Sequence, residues 1–284
     1  MDNGTKQMVA HWIGRFLAIH RCQKSSPQEW IQNNWKRFLH FTSYSDLLNS
    51  WGASNGSAFL TEAEGSALEY MTPSQVAEIT VALGVLSNIS LTKVVAQALA
   101  SKDVHFAEDF LSKLAPLLPQ PPPVHNKASL HLMLESILQK VGQSFPDLCS
   151  PSLKDLFQRK LRVFLPAADE KILKLFPTRI GCTDFHDIYK GINSVYHELD
   201  PVTQKAVYKS RMDFLERQLA KEGVACTFST SNSKEWLQEN FGLSSIFVAY
   251  DDFVRLNPSF NGVSNLIRIL SEHSLNQLSL HMWG

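Results

Sequence analysis

CTDFHDIYKGINSVYHELDPVTQKAVYKSRMDFLERQLAKEG, residues 182–223, decides how the rest of this chain is read. Phe185, Ile188, Tyr189, Ile192, Val195 and Tyr196 recur at intervals of three and four, which gathers their apolar side chains on one face of a helix. Asp200-Pro201 then supplies a cap and a proline at the first helical position. Tyr208, Met212, Leu215 and Leu219 form a second stripe, which stops before Gly223. Two amphipathic helices joined by a short connection make an αα-hairpin.

The same punctuation recurs along the chain. Thr72-Pro73-Ser74-Gln75 reads as a cap, an N1 proline and a capping-box glutamine, followed by Val76, Ile79, Leu83 and Leu86 at helical spacing. Ser150-Pro151 repeats the cap-plus-proline start. No run of alternating β-branched residues bounded by turns competes with it, and extended candidates such as residues 225–229 are short. The expected fold is all-α, an array of short helices with few or no strands. Pro116-Leu-Leu-Pro119-Gln-Pro121-Pro122-Pro123 reads as a stiff extended connector at 116–123; a ligand for a proline-recognising domain is the lesser reading.

An internal repeat organises these helices. SSPQEWIQNNWKRFLHFTSYSDLLNSWGASNG from Ser25 aligns without a gap, at an offset of 206, with SNSKEWLQENFGLSSIFVAYDDFVRLNPSFNG from Ser231. Glu29/Glu235, Trp30/Trp236, Asn34/Asn240, Phe41/Phe247, Tyr44/Tyr250 and Asp46/Asp252 are identities, and Trp35/Phe241 and Leu47/Phe253 keep apolar character. Ser26 and Asn232 are matching cap positions with glutamate three residues on. Upstream, Thr5 to Val9 with Phe16-Leu17 resembles Thr203 to Val207 with Phe214-Leu215, and Cys22 stands where Cys226 stands. Downstream, Gln75-Val76 has a weaker echo in Gln277-Leu278. The expected organisation is the end of one unit at 1–24, one full unit of about 205 residues at 25–230, and the start of another at 231–284, as in a piece of a longer array.

EWIQNNW…FTSYSDLL, LEYMTPSQVAEI, FPTRIGCTDFHDIYKGINSVY and EWLQENFG…VAYDDFVRLNPSFNG, in this order, resemble the long extracellular arrays related to stereocilin, otoancorin and mesothelin. The resemblance spans most of the chain and rests on helix packing and punctuation, not on a catalytic signature. It implies an armadillo-like superhelical array of short helices, export to the cell surface or matrix, and a role in adhesion. It brings no catalytic, cofactor or metal residue to any position here.

Composition narrows the function classes. The 284 residues carry 27 Lys+Arg and 27 Asp+Glu, spread in ones and twos, so nothing in them suggests the clustered basic charge of a nucleic-acid binder. Hydrophobic residues make up 44%, enough for a substantial core. No stretch reaches the ~20 apolar residues of a membrane span. His11 to His20 is too short and is broken by Arg15, so it reads as neither anchor nor signal peptide. Export then requires that the chain derive from a longer precursor.

Signatures of catalytic chemistry are sparse in the sequence. No G-x-S-x-G, HExxH, P-loop or GxGxxG is present. His186-Asp187 could start a helical metal site, but it would need two more ligands at compatible spacing; His125 and His131, six apart, lie off a common face, His197 is eleven residues from His186, and ordinary surface histidines are the simpler reading. Adjacent Asp251-Asp252 point about 100° apart on a helix, which suits a helix start better than paired catalysis. Trp30/Trp236 with Trp35/Phe241 fit core packing better than an aromatic ligand platform. No enzyme, cofactor or metal is expected.

Covalent features point outward. Asn3-Gly4-Thr5, Asn55-Gly56-Ser57 and Asn88-Ile89-Ser90 are sequons, a pattern also met by chance in cytosolic chains. Cys22, Cys149, Cys182 and Cys226 lack CxxC spacing. Cys182 precedes the first hairpin helix and Cys226 follows the second, so antiparallel folding brings them together, closing a loop of about 45 residues worth ~3–4 kcal/mol. Cys22 and Cys149 are then free or paired with each other; four reduced thiols, or the other connectivities, are the alternatives. The expected function is a non-enzymatic extracellular or cell-surface module that offers an extended face to a protein or glycan partner. The alternative is a soluble carrier that encloses an apolar small molecule between helices.

Overall fold

Side-chain caps start many of the described helices. Thr72 and Gln75 complete a reciprocal capping box: Thr72 Oγ1 accepts from the Gln75 amide and Gln75 Oε1 accepts from the Thr72 amide at 2.9 Å. Asn88, Asp103, Asn126, Asp169, Asp200 and Asn232 each accept from amides of their own first turn. Gly223, at φ 71°, ends the hairpin's second helix in the left-handed conformation that glycine adopts without steric cost.

The computed structural model describes residues 2–20, 27–51, 66–118, 126–142, 150–223, 225–226 and 232–260. Among the described residues there is helix and no strand, so the fold is all-α. The chain divides into two compact units, Met1–Asp147 and Leu148–Gly284. The first contains α1 (Asn3–His20), α2 (Pro27–Asn34), α3 (Tyr44–Trp51), α4 (Pro73–Ala82), α5 (Ile89–Ser101), α6 (Val104–Leu114) and α7 (Lys127–Val141). The second contains α8 (Ser150–Asp155), α9 (Glu170–Leu173), α10 (Cys182–Asn193), α11 (Pro201–Glu222), α12 (Ser233–Asn240) and α13 (Tyr250–Leu256). Short 3-10 turns link many of them, and α8 runs into a π-helical turn at Leu156–Lys160.

In the first unit α5 packs on α7 and α4 on α6, burying Val95, Leu99, Phe110, Leu134 and Ile137. Gln75 does more than cap: its buried Nε2 donates to the carbonyls of Leu39 and Thr42, both at 2.7 Å, and so ties α4 to the turn before α3. In the second unit α10 lies on α8 and the π turn, so closely that a Cβ on Gly191 would stand 2.5 Å from the Phe157 carbonyl oxygen. Phe185, Ile188, Tyr189, Ile192, Val195 and Tyr196 are all buried.

The repeat is visible element by element. Pro27–Asn34 and Ser233–Asn240 are helices, Lys36–Phe41 and Gly242–Phe247 are 3-10 turns, and helices follow from Tyr44 and Tyr250. Trp30 and Trp236 are buried, as are Trp35 and Phe241. Asn34 and Asn240 each donate from Nδ2 to the carbonyl of the tryptophan four residues back. The preceding helices match as well: Asp2 and Asp200 both accept from the backbone amide and the hydroxyl of the threonine three residues on. α1 packs on 36–41 and α3, and α11 packs on 242–247 and α13.

One expectation on the connector needs revision. Pro116 lies inside a 3-10 turn, Ala115–Leu117, that extends α6, because a proline near the start of a helical turn forfeits no hydrogen bond. Residues 119–123 lie outside the described residues.

Candidate functional site

The hairpin α10–α11 is closed at its open end by a disulfide between Cys182 and Cys226, with Cα atoms 5.6 Å apart. Both cysteines are buried. Cys226 holds a φ of 53°, a left-handed conformation uncommon for a residue with a Cβ. Beside it, the Ala225 carbonyl accepts from Trp236 Nε1 at 3.0 Å, so the staple, the end of α11 and the repeated tryptophan of α12 form one connected group. Cys22 and Cys149 lie outside the described residues.

The same hairpin holds a buried cation whose hydrogen bonds go to carbonyl and amide oxygens. Arg211 of α11 is 0% exposed. It donates to the Asn240 carbonyl at 2.9 Å, to Asn193 Oδ1 at 2.8 Å and to the Tyr189 carbonyl at 3.3 Å, and its guanidinium lies 4.5 Å from the Tyr189 ring centre. Nε finds no hydrogen-bond partner. Burial lowers the Arg211 pKa to about 10, so the group stays charged at neutral pH. Burial also pushes the Tyr189 hydroxyl up and the Tyr196 hydroxyl up to about 12. Three backbone and amide oxygens plus an aromatic face replace the water this cation loses.

His186 belongs to the same cluster. Sequence reading placed it on a helix surface, but it is buried, packed beside Phe185 and reached by Asn240 of α12. Asn240 donates its Nδ2 to Trp236 O, which leaves Oδ1 to accept from His186 Nε2 at 3.1 Å. Nδ1 stands 3.9 Å from Glu239, which also pairs with Lys190 at 3.0 Å. Burial holds the His186 pKa below its ordinary 6.5, against the opposing pull of Asn240 and Glu239. The periodicity that hides His186 is its position beside Phe185, on the flank of an apolar face.

The polar contacts of this cluster join elements. His186 bonds to an amide and Asp187 accepts from Gln158, a pattern of packing between elements. Among the described residues no three His, Cys, Asp or Glu side chains form a metal-holding group. Asp251 and Asp252 lie in the first turn of α13, where Asp252 pairs with Arg255. Trp30, Trp35 and Trp236 are core residues. A cavity walled by Leu173, Phe176, Ile180, Phe185, Tyr189 and Phe214 has a volume of about 30 Å³, room for a water-sized guest and not for a lipid.

Two sequons fall on described residues. Asn3 is exposed at the start of α1. Asn88 is exposed and caps α5 with its Oδ1, which accepts from the Ser90 and Leu91 amides; its Nδ2, the atom a glycan would use, has no part in the cap. Asn55 lies outside the described residues. Among the described residues no helix is long and apolar enough to cross a membrane.

No protein-family model, curated protein or solved structure matches this chain.

Proposed function

We propose that this protein is a non-enzymatic interaction module of the extracellular space or cell surface, built from repeated helical units and engaging a protein or glycan partner. The observation that carries the reading is the Cys182–Cys226 bond, since a structural disulfide persists in oxidising compartments and is rare where glutathione keeps thiols reduced. The exposed Asn88, whose amide nitrogen is left available by its cap, supports it. The element-by-element repeat supports membership in a superhelical array like those related to stereocilin, otoancorin and mesothelin, and adhesion is the role such an array suggests. The carrier reading draws no support from the cavity above, which is too small for an apolar ligand. Antibody labelling of unpermeabilised cells that express the natural gene product tests the proposal. Surface or matrix signal is the expected result; signal confined to permeabilised cells would overturn it.

A further inference from the structure

α1 has two apolar faces. One, with Ala10, Gly14 and Leu17, is buried against 36–41 and α3. The other carries Met8, Trp12 and Ile19, exposed by 56%, 62% and 73%, with Phe16 on the same stripe at 56%. At 100° per residue these side chains fall within about 80° of arc. Isolated exposed apolar residues need no explanation, but a stripe three turns long does.

The internal copy shows what such a face meets. By the repeat, Met8, Trp12, Phe16 and Ile19 of α1 correspond to Ala206, Ser210, Phe214 and Arg217 of α11. In α11 that face is covered from Ala206 to Phe214, while Arg217 at its end is exposed. Phe214 is 3% exposed and stacks on Phe185 of α10, with ring centres 4.1 Å apart and planes 6° from parallel. Ser210 Oγ and Tyr189 Oη stand 2.6 Å apart, and Ala206 is buried. The opposite side of each helix packs on equivalent elements, 36–41 and α3 in one copy and 242–247 and α13 in the other. Among the described residues, the cover that α9 and α10 lay on α11 distinguishes the two environments.

From this we infer that the Met8/Trp12 stretch of this α1 face is a docking surface for an amphipathic helix of the α10 type, supplied by a further repeat unit. Size complementarity specifies the occupant more closely. Where α11 has Ser210, α1 has Trp12, so the space Tyr189 fills above Ser210 is taken by an indole. The docking helix therefore carries an aromatic side chain at the Phe185 position, to stack on Phe16, and a small one at the Tyr189 position, to clear Trp12. The inference rests on the interaction-module reading for its biological sense, but its outcome leaves the disulfide and glycan evidence for that reading untouched.

A fusion tests it in the full chain. Residues 169–199 of this protein, joined ahead of Asp2, reproduce the connection by which α10 enters α11. Three versions of the added segment are compared: unaltered, Tyr189→Ala, and Tyr189→Ala with Phe185→Asp. The readout is hydroxyl-radical oxidation of Trp12 and Met8, resolved by mass spectrometry. The Tyr189→Ala segment should slow oxidation of both severalfold relative to the unfused chain, the unaltered segment less, and the Phe185→Asp segment not at all. Equal reactivity in all four proteins would overturn the inference. So would protection that persists with Phe185→Asp, or protection of the unfused chain that grows with its concentration alongside a dimer in sedimentation, which would make the occupant a second copy.

Discussion

Replacing Cys182 and Cys226 together by alanine removes a cross-link between residues 44 apart in sequence. In the chain-entropy model a loop of that length restricts the unfolded ensemble by ~4 kcal/mol at 25 °C. Both sulfurs are buried, but alanine keeps the Cβ atoms, so the lost packing is small beside that figure. The bond belongs to the second compact unit, and so does the indole of Trp236, whose Nε1 bonds to Ala225 next to Cys226. Urea unfolding followed at Trp236, with the other tryptophans replaced by phenylalanine in both proteins, therefore reads the affected unit. With a urea dependence of ~1.5 kcal/mol/M for a unit of this size, the midpoint should fall by ~2–3 M. A second pair, Cys182→Ala with Cys226→Gly, should recover ~1 kcal/mol of the loss, because glycine adopts the φ of 53° without the Cβ penalty. A midpoint within roughly 0.5 M of the parent, a loss below about 1 kcal/mol, would show that the bond does not constrain the chain as described.

Gly191→Ala in α10 would set a Cβ 2.5 Å from the Phe157 carbonyl, and backbone yields less than a side chain, so an overpacking cost of roughly 1–3 kcal/mol should exceed the ~1 kcal/mol gained in helix propensity; chemical unfolding of the second unit would check it. Asp200→Ala should cost ~1 kcal/mol by stripping the caps on the Thr203 amide and hydroxyl, and hydrogen exchange should quicken first at the start of α11. His186 titrates below 6.5 when folded and near that value when unfolded, so the unfolded chain binds more protons in the window below pH 6.5. Stability should therefore be constant in this respect above pH 6.5 and decline as pH falls through the window, and His186→Gln should remove that portion of the slope in a series of melts.

Apolar spacing and caps made the all-α fold legible, because each rests on local stereochemistry that tertiary packing reinforced here. The face from Phe185 to Tyr196 is buried throughout, and Thr72 with Gln75 forms the reciprocal box its spacing suggests. Long-range polar burial was far less readable. Arg211 falls three residues after Tyr208 and four before Leu215, within reach of an apolar stripe, yet an arginine among 27 basic residues reads as solvated until Asn240 and Asn193 are known to face it. His186 was misplaced for the same reason: its partner lies 54 residues on, in a different helix. The π turn at Leu156–Lys160 has no local signature, and it contains Phe157, on which Gly191 is closely seated. The exposed stripe of α1 was not legible beyond the match of Thr5 to Val9 and Phe16-Leu17 to the later copy, since periodicity shows that a face is apolar and not whether it is covered.

Non-reducing peptide mapping of the natural protein, with and without removal of N-glycans, tests the proposed oxidised, glycosylated repeat module most directly. The predicted result is a Cys182–Cys226 linked peptide together with a glycan on Asn88. Alkylation of both Cys182 and Cys226 without reductant, with Asn88 bare, would contradict it.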